Sequence, residues 1–185
     1  MRQKKNFIGQ FLQNKKMIGS MVPSSRFLAK KMLENINFKE AKVIVELGPG
    51  TGVFTDRLLE LMRPGSTLLI FELNDTFYNQ LANRIDDPRV HLIHDSAECL
   101  GEYLTNLGLE KADAVISSLP LANFPKLLRD KILEVSKQSL STGGKFIQFQ
   151  YSLQSKKVIS TKFEGVKIAF TPLNFPPAFV YTCYK

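Results

Sequence analysis

The chain has 185 residues, 44% of them hydrophobic and 23% charged, which suits one globular domain with a sizeable core. No run approaches the roughly 20 apolar residues of a membrane span, and we expect no secretory signal at the N-terminus. The net charge is +8, and residues 1–33 hold eight basic side chains and no acidic one. The whole excess therefore lies in one segment, as in surfaces that meet lipid or nucleic acid, although a solvated basic face has the same composition.

Residues 1–40 form a predicted N-terminal helical extension, separate from a domain over residues 41–185. A second helix is predicted from Arg26 to about Asn35, with Ser24 or Ser25 as its cap. A basic amphipathic helix over residues 1–20 suits a membrane interface, and a helix packed on the edge of a sheet has the same periodicity. The apolar residues at helical spacing are Phe7, Ile8, Phe11, Leu12 and Ile18.

Beyond residue 40, β and α patterns alternate. This alternation predicts an α/β fold: a mostly parallel, Rossmann-like sheet of seven strands with helices on both faces. The last two strands have no long helix between them, which predicts a C-terminal antiparallel hairpin. The predicted strands are Val43–Leu47, Thr67–Leu73, Val90–His94, Ala112–Ser117, Lys145–Tyr151, Val166–Thr171 and Ala178–Tyr184. The predicted helices are Gly52–Met62, a helix capped by Asp75 that runs to about Ile85, a helix ending near Leu107, and Phe124–Gln138.

A glycine-rich turn follows the first strand, at Gly48, Gly50 and Gly52. A dinucleotide fingerprint would place its third small residue at position 53, which is Val53 here. Glu46 stands just before the turn, where a carboxylate would repel a pyrophosphate and attract an ammonium group. S-adenosylmethionine carries an ammonium group and a sulfonium but no phosphate. The segment Glu46–Gly52 resembles motif I of class I S-adenosylmethionine-dependent methyltransferases, Glu-Leu-Gly-x-Gly-x-Gly, and this resemblance implies S-adenosylmethionine as the cofactor.

Residues after the next strands complete the predicted cofactor site. Glu72 ends strand 2, where an acid can accept two hydrogen bonds from ribose hydroxyls. Asp95 follows strand 3 and can accept from the exocyclic amine of adenine, cap the next helix, or do both. The predicted cofactor-binding residues are Glu46, Gly48, Gly50, Thr51, Gly52, Glu72, Leu73, Asp95, Ser96, Ala97 and Ser118.

The loop after strand 4 is the predicted acceptor site. Enzymes that methylate an aromatic amine commonly have Asn/Asp-Pro-Pro-Tyr/Phe here, and the final ring stacks on the base. This chain has Ser118 in place of the acid or amide and Leu121 in place of the ring, so residue 121 cannot stack a base. Tyr151, at the end of strand 5, and Tyr181 are candidate contacts for a lipid headgroup. The predicted catalytic residues are Ser118, Leu119, Pro120 and Tyr151, and no general base is evident beside the loop.

No metal site is predicted. His91 and His94 lie on a strand, where a spacing of three points their side chains to opposite faces. Cys99 and Cys183 match no metal spacing, and we interpret both as reduced thiols.

Four segments resemble those of bacterial phospholipid N-methyltransferases: Met21–Ala29, Glu46–Thr55, Ser117–Pro125 and Asn174–Ala178. The resemblance implies methylation of phosphatidylethanolamine by a cytoplasmic enzyme that lies peripherally on the inner face of the membrane and binds its anionic surface through the N-terminal helix. That group is itself similar to ribosomal RNA adenine dimethylases. Those enzymes carry a helical domain after the sheet, whereas this chain stops at Lys185, directly after the last strand.

Three functions remain open from the sequence. The first is a membrane-surface enzyme that methylates a phospholipid amine. The second is an rRNA or other nucleic-acid adenine N6-methyltransferase that uses the basic N-terminus on phosphates. The third is a silent binding module, which the intact glycine turn and Glu72 disfavour.

Overall fold

The computed structural model describes residues 25–185. The membrane-binding helix predicted over residues 1–20 lies outside the described residues. Within residues 25–185, every helix is too short or too polar to cross a bilayer.

One sheet of seven strands forms the centre of the molecule. The strands are β1 (Val43–Leu47), β2 (Thr67–Phe71), β3 (Val90–Ile93), β4 (Ala112–Ser117), β5 (Leu140–Gln150), β6 (Gly165–Thr171) and β7 (Ala178–Tyr184). Their order across the sheet is β3-β2-β1-β4-β5-β7-β6. The first five are parallel, and β7 runs antiparallel to both β5 and β6. The predicted Rossmann-like sheet with a C-terminal antiparallel hairpin is confirmed.

Within residues 25–185, six helices connect or precede the strands. They are α1 (Arg26–Leu33), α2 (Val53–Leu61), α3 (Asp75–Ala82), α4 (Leu100–Asn106), α5 (Lys126–Ser139) and α6 (Lys156–Ser160). Single 3-10 turns lie at Ala97–Cys99 and Leu121–Asn123. Polar caps set two of the starts: the Ser25 hydroxyl accepts from the Leu28 amide at 3.1 Å, and Asn74 Oδ1 accepts from the Phe77 amide at 3.1 Å.

The core has one hydrophobic cluster on each face of the sheet, because successive strand side chains point to opposite faces. Val45 belongs to the cluster that includes side chains of α4, α5 and α6. Ile44 belongs to the cluster that includes side chains of α1 and α2. Leu28 and Met32 of α1 are fully buried there, and each contributes about 1.5–3 kcal/mol of hydrophobic free energy. The boundary proposed at residue 40 stays a prediction, although α1 shares this core.

Several predicted boundaries were wrong by a few residues. β5 begins at Leu140 rather than at residue 145, because Leu140 pairs with Ala112 ahead of an irregularity in the register. Asn74, not Asp75, caps α3, since its side-chain oxygen reaches the first-turn amide. Strand 2 ends at Phe71, before Leu73.

The helices also differ from prediction at their ends. α1 ends at Leu33 and α5 begins only after Pro125. The short helix α6 was not predicted, because five residues are too few to show a helical period.

The register brings the carboxyl ends of the parallel strands to one edge. Leu47 of β1 lies beside Phe71 of β2 and Ser117 of β4, and Phe71 lies beside Ile93 of β3. Ser117 in turn lies beside Gln148 of β5. The chain order reverses between β1 and β4, and ligands of open α/β sheets bind at such a crevice.

Candidate functional site

The glycine turn after β1 has a left-handed backbone, with φ of +69° at Gly48, +57° at Gly50 and +83° at Gly52. This region suits glycine because a side chain would crowd the backbone. A Cβ atom placed on Gly48 would lie 2.6 Å from Leu119 Cδ2. The turn after β1 and the loop after β4 are therefore in direct contact, and only a hydrogen fits between them.

Glu46 is fully buried at the end of β1. Its Oε2 accepts a hydrogen bond from the Thr55 hydroxyl at 2.7 Å, while Oε1 has no partner among the described residues. Burial raises the pKa of Glu46 from 4.5 to about 8; the Thr55 bond opposes that rise and the nearby negative charge of Glu72 adds to it. The site thus contains a carboxyl group whose charged form would be favoured by a cation placed at Oε1.

Glu72 follows β2 and holds two stretches of backbone. Oε2 accepts from the Gly50 amide at 3.2 Å, and Oε1 accepts from the Asn74 amide at 2.8 Å. Burial raises the pKa of Glu72, and these backbone hydrogen bonds, with one involving Leu73, pull it down. Each carboxylate oxygen can accept a further bond, so Glu72 can also receive hydroxyl donors from a ligand.

Asp95, Ser96 and Ala97 are all buried at the carboxyl end of β3. Asp95 Oδ1 accepts from the Ser96 amide at 2.7 Å, and Oδ2 accepts from the Tyr103 hydroxyl at 3.4 Å. Ser96, rather than Asp95, caps the short turn that begins at Ala97, because its hydroxyl accepts from the Glu98 amide at 3.4 Å. The structure therefore gives the capping role to the neighbouring serine.

The loop after β4 starts as an extension of the sheet. The Ser118 amide donates to the Leu47 carbonyl at 2.9 Å, which keeps this loop beside the glycine turn. Ser118 Oγ is buried and has no partner among the described residues. Pro120 is half-buried, and Leu121 is fully buried in the core.

The Leu119 carbonyl is held by two side-chain amides. Gln148 Nε2 donates to it at 3.0 Å and Gln150 Nε2 at 3.1 Å. Both glutamines are buried, and both also donate to the Phe149 carbonyl. β5 therefore fixes the loop after β4 through polar side chains.

The predicted residues fall into two groups. Glu46, Gly48, Gly50 and Glu72 are brought together around the glycine turn, and Ser118, Leu119 and Pro120 lie across from it. Tyr151 lies farther along the same edge, after β5, 43% exposed and with its ring against Phe149 at a centroid distance of 5.5 Å. Tyr181, a second aromatic considered for the headgroup, is fully buried.

The family model for ribosomal RNA adenine dimethylase matches residues 2–100. An ornithine lipid N-methyltransferase from Singulisphaera acidiphila is 32% identical over 96% of this chain and 93% of its own. The chain belongs to the class I S-adenosylmethionine-dependent methyltransferases related to ribosomal RNA adenine dimethylases. This enzyme is therefore a methyltransferase with S-adenosylmethionine as its cofactor.

Two further comparisons give a more distant sequence relative and a structural neighbour of the methyltransferase. A ribosomal RNA small subunit methyltransferase A from Ureaplasma parvum is 25% identical over 88% of this chain, which spans 61% of that protein. The solved structure of precorrin-6y C5,15-methyltransferase from Geobacter metallireducens superposes with a TM-score of 0.72, at 15% identity, over 90% of this chain and 92% of its own. That structural likeness supports the fold alone.

Sequence reasoning missed four residues that hold Glu46, the glycine turn and the loop after β4 in place. Arg84 braces the glycine turn, because its Nη2 donates to the Thr51 carbonyl at 3.1 Å and its Nη1 donates to Asp56 at 2.6 Å. Thr55 holds Glu46, just before the turn. Gln148 and Gln150 hold the acceptor loop. Two glutamines at alternate positions of a buried strand were a usable signal, since interior parallel strands are usually apolar. No comparable sequence signal marked Thr55 or Arg84.

Proposed function

We propose that this methyltransferase transfers a methyl group to the primary amine of a lipid headgroup of the phosphatidylethanolamine type, at the membrane surface. The observation that carries the proposal is the acceptor loop, where Leu121 is buried in the core at the position of the stacking ring in enzymes that methylate a base. A loop of this kind offers no aromatic face to adenine. The nearly full-length likeness to an ornithine lipid N-methyltransferase supports the same choice.

The residues around the glycine turn suit S-adenosylmethionine, and we assign their roles as part of the proposal. Glu46 Oε1, buried and without a partner among the described residues, faces the methionine ammonium directly or through water. The ribose hydroxyls donate to Glu72, and the adenine amine donates to Asp95. Gly48, Gly50, Thr51 and Gly52 let the backbone approach closely, while Leu73, Ser96 and Ala97 line the adenosine.

When bound, the cofactor supplies a methyl group on a positively charged sulfur. The lipid amine would have to reach that methyl group unprotonated, after losing its proton to solvent, and would displace the sulfur in line. Such an in-line displacement depends on the position of the nucleophile. We assign that task to the Ser118 hydroxyl, which is buried without a partner among the described residues and can accept a hydrogen bond from the amine.

The two glutamines act on the acceptor through Leu119. Their amide groups occupy both lone pairs of the Leu119 carbonyl and so hold the backbone next to Ser118 in place before the amine arrives. Pro120 restricts the backbone of the same loop, and Tyr151 offers a partly exposed ring to the methylated ammonium product.

Approach to the membrane is proposed to involve residues 1–20. Their lysines and apolar residues predict an interfacial helix that is attracted to anionic lipid, which would place the enzyme peripherally on the cytoplasmic face.

The test is methyl transfer from labelled S-adenosylmethionine in three parallel reactions. The acceptors are vesicles with phosphatidylethanolamine, vesicles with ornithine lipid, and ribosomal RNA. We expect label in lipid, and the two vesicle reactions decide which primary amine is preferred. Ser118→Ala should lower transfer while cofactor affinity stays near that of the unchanged enzyme. Label found only in RNA would overturn the proposal and favour adenine methylation.

A further inference from the structure

Large apolar side chains are exposed along the same edge of the sheet as the site. They are Phe175 at 81%, Leu173 at 60%, Leu153 at 45% and Phe27 at 42% exposure, and we call these four residues the apolar rim. Phe27 lies in the first turn of α1, Leu153 follows β5, and Leu173 and Phe175 lie in the loop between β6 and β7. Three segments far apart in sequence thus each place apolar side chains in water.

Buried polar contacts hold these segments together. Asn174 is 6% exposed, and its Oδ1 accepts from the Ser25 amide at 2.9 Å, which joins the β6–β7 loop to the start of α1. Its Nδ2 donates to the Pro176 carbonyl at 2.7 Å, which fixes the course of the loop itself. The Tyr181 hydroxyl donates to the Ser152 carbonyl at 3.4 Å, beside Leu153. These hydrogen bonds therefore fix the segments of the rim relative to one another and to the sheet.

The position of the rim follows from the strand directions. β5 ends at the carboxyl edge of the sheet, and Gln150 at its end pairs with Phe179 at the start of β7. The β6–β7 loop must therefore lie at the same edge. Gln150 also donates to the Leu119 carbonyl, so the rim begins beside the acceptor loop.

Basic side chains predominate around the rim, although Lys31 is paired with Glu34 at 2.7 Å. Residues 25–33, 150–160 and 170–178 contain five basic side chains and no acidic one: Arg26, Lys30, Lys31, Lys156 and Lys157. Residues 1–24, with their own lysines and apolar residues, join the described chain at Ser25, which is hydrogen-bonded to the rim loop. An anionic bilayer is the surface that complements both apolar side chains and a surrounding of lysine and arginine.

We propose that the apolar rim inserts into the lipid interface and presents the acceptor loop to the headgroups. This inference rests on the proposed lipid substrate. It is separate from the helix predicted over residues 1–20, because the rim belongs to the folded domain. Membrane contact at the rim directs the carboxyl edge of the sheet toward the bilayer, so that a headgroup amine reaches Ser118 and Leu119 without leaving the interface.

The test compares two variants of the full-length protein, a double substitution in the rim and a single control substitution. Leu173→Ser/Phe175→Ser removes two exposed rim side chains, and Leu107→Ser is the control. Leu107 is also exposed, but it follows α4 at the opposite edge of the sheet. Flotation with vesicles of phosphatidylethanolamine and phosphatidylglycerol measures binding, and methyl transfer is measured on the same vesicles and on a monomeric short-chain phosphatidylethanolamine.

We expect the rim variant to bind vesicles roughly tenfold or more weakly than the control, because the hydrophobic burial of two large side chains is lost. Transfer to vesicles should fall in parallel, and transfer to the monomeric lipid should match the unchanged enzyme. Equal vesicle binding by the rim variant and the control would overturn the inference. So would sedimentation that shows a dimer abolished by the rim substitutions, which would assign the rim to a second copy of the chain.

These outcomes are distinguishable from failure of the proposed function. If no lipid is methylated in either form, the lipid substrate itself is wrong, whatever the flotation shows. If the monomeric lipid is methylated and the rim variant binds vesicles as well as the control does, only the rim assignment is wrong.

Discussion

Glu72 Oε2 accepts a hydrogen bond from the Gly50 amide at 3.2 Å, so the carboxylate that follows β2 holds the turn that follows β1. The same side chain accepts from the Asn74 amide and fixes the start of α3. A residue predicted only to bind ribose is thus also the link between two loops of the site.

Glu72→Ala is expected to weaken S-adenosylmethionine binding by about 1–3 kcal/mol, because the ribose hydroxyls and the Gly50 amide both lose a charged acceptor. Titration calorimetry measures the change. Glu60→Ala is the matched control, since Glu60 is an exposed acid on α2 that pairs with Arg57. Unchanged affinity in Glu72→Ala would remove Glu72 from the cofactor site.

Glu46 should release a proton when the cofactor binds. Its pKa of about 8 in the free enzyme means that most of this group is protonated at pH 7, and an ammonium partner favours the ionised form. Calorimetry at pH 7 in buffers of different ionisation enthalpy should therefore detect proton release, and Glu46→Gln should abolish it. Equal proton release by both proteins would contradict the assignment.

The stability of the free enzyme should also depend on Glu46. The folded pKa is raised above 4.5, so the favourable contribution is complete below pH 4.5 and is lost as the pH rises through about 8. We expect unfolding by denaturant to show that Glu46→Gln gains stability relative to the unchanged protein between these pH values. A constant difference across that range would mean that the carboxyl group ionises normally.

Gly48→Ala should disturb the contact between the glycine turn and the acceptor loop. Gly108→Ala is a matched control, because its φ of +67° is close to the +69° of Gly48 and a Cβ there meets nothing within 4 Å. Both substitutions carry the backbone strain of a left-handed residue, about 1–2 kcal/mol. Thermal unfolding should show an additional loss of about 1–3 kcal/mol for Gly48→Ala, from the clash with Leu119. Equal losses of stability in the two variants would mean that Leu119 moves aside without a measurable cost.

Gln150→Met should lower turnover more than cofactor affinity, because the Leu119 carbonyl loses one of its two side-chain donors. We expect kcat to fall about tenfold, with cofactor Kd within about twofold of the unchanged enzyme. Gln138→Met, at an exposed position on α5, is the control. A parallel loss of kcat and cofactor affinity would give Gln150 a general structural role.

Deletion of residues 1–16 should weaken binding to anionic vesicles and leave cofactor binding intact, since the glycine turn starts only after Glu46. Each basic residue near an anionic bilayer contributes about 1 kcal/mol at most, so the lost binding should be the salt-sensitive part. Flotation across a series of salt concentrations measures it. Vesicle binding that changes neither with lipid charge nor with the deletion would favour contact of the same lysines with RNA.

Local patterns were sufficient for most of the fold. Strand β4 was predicted with its observed ends, and the glycine turn with Glu46 indicated the cofactor, because strand alternation, turn glycines and a carboxylate before them are encoded within about ten residues. The predicted boundaries were wrong where pairing with a neighbouring strand determines the end of an element. Leu140 joins β5 only because Ala112 lies beside it.

The amino-acid sequence by itself determined the order of the elements, the glycine turn and the chemistry of the residues at the strand ends. Only the tertiary structure decided which of those residues meet. Gln150 holds Leu119, 31 positions away, and Asn174 holds Ser25, 149 positions away, because strand order and register bring them together. The raised pKa of Glu46 likewise depends on burial by the whole sheet. Hydrophobic periodicity is local, whereas contact and burial depend on packing between distant segments.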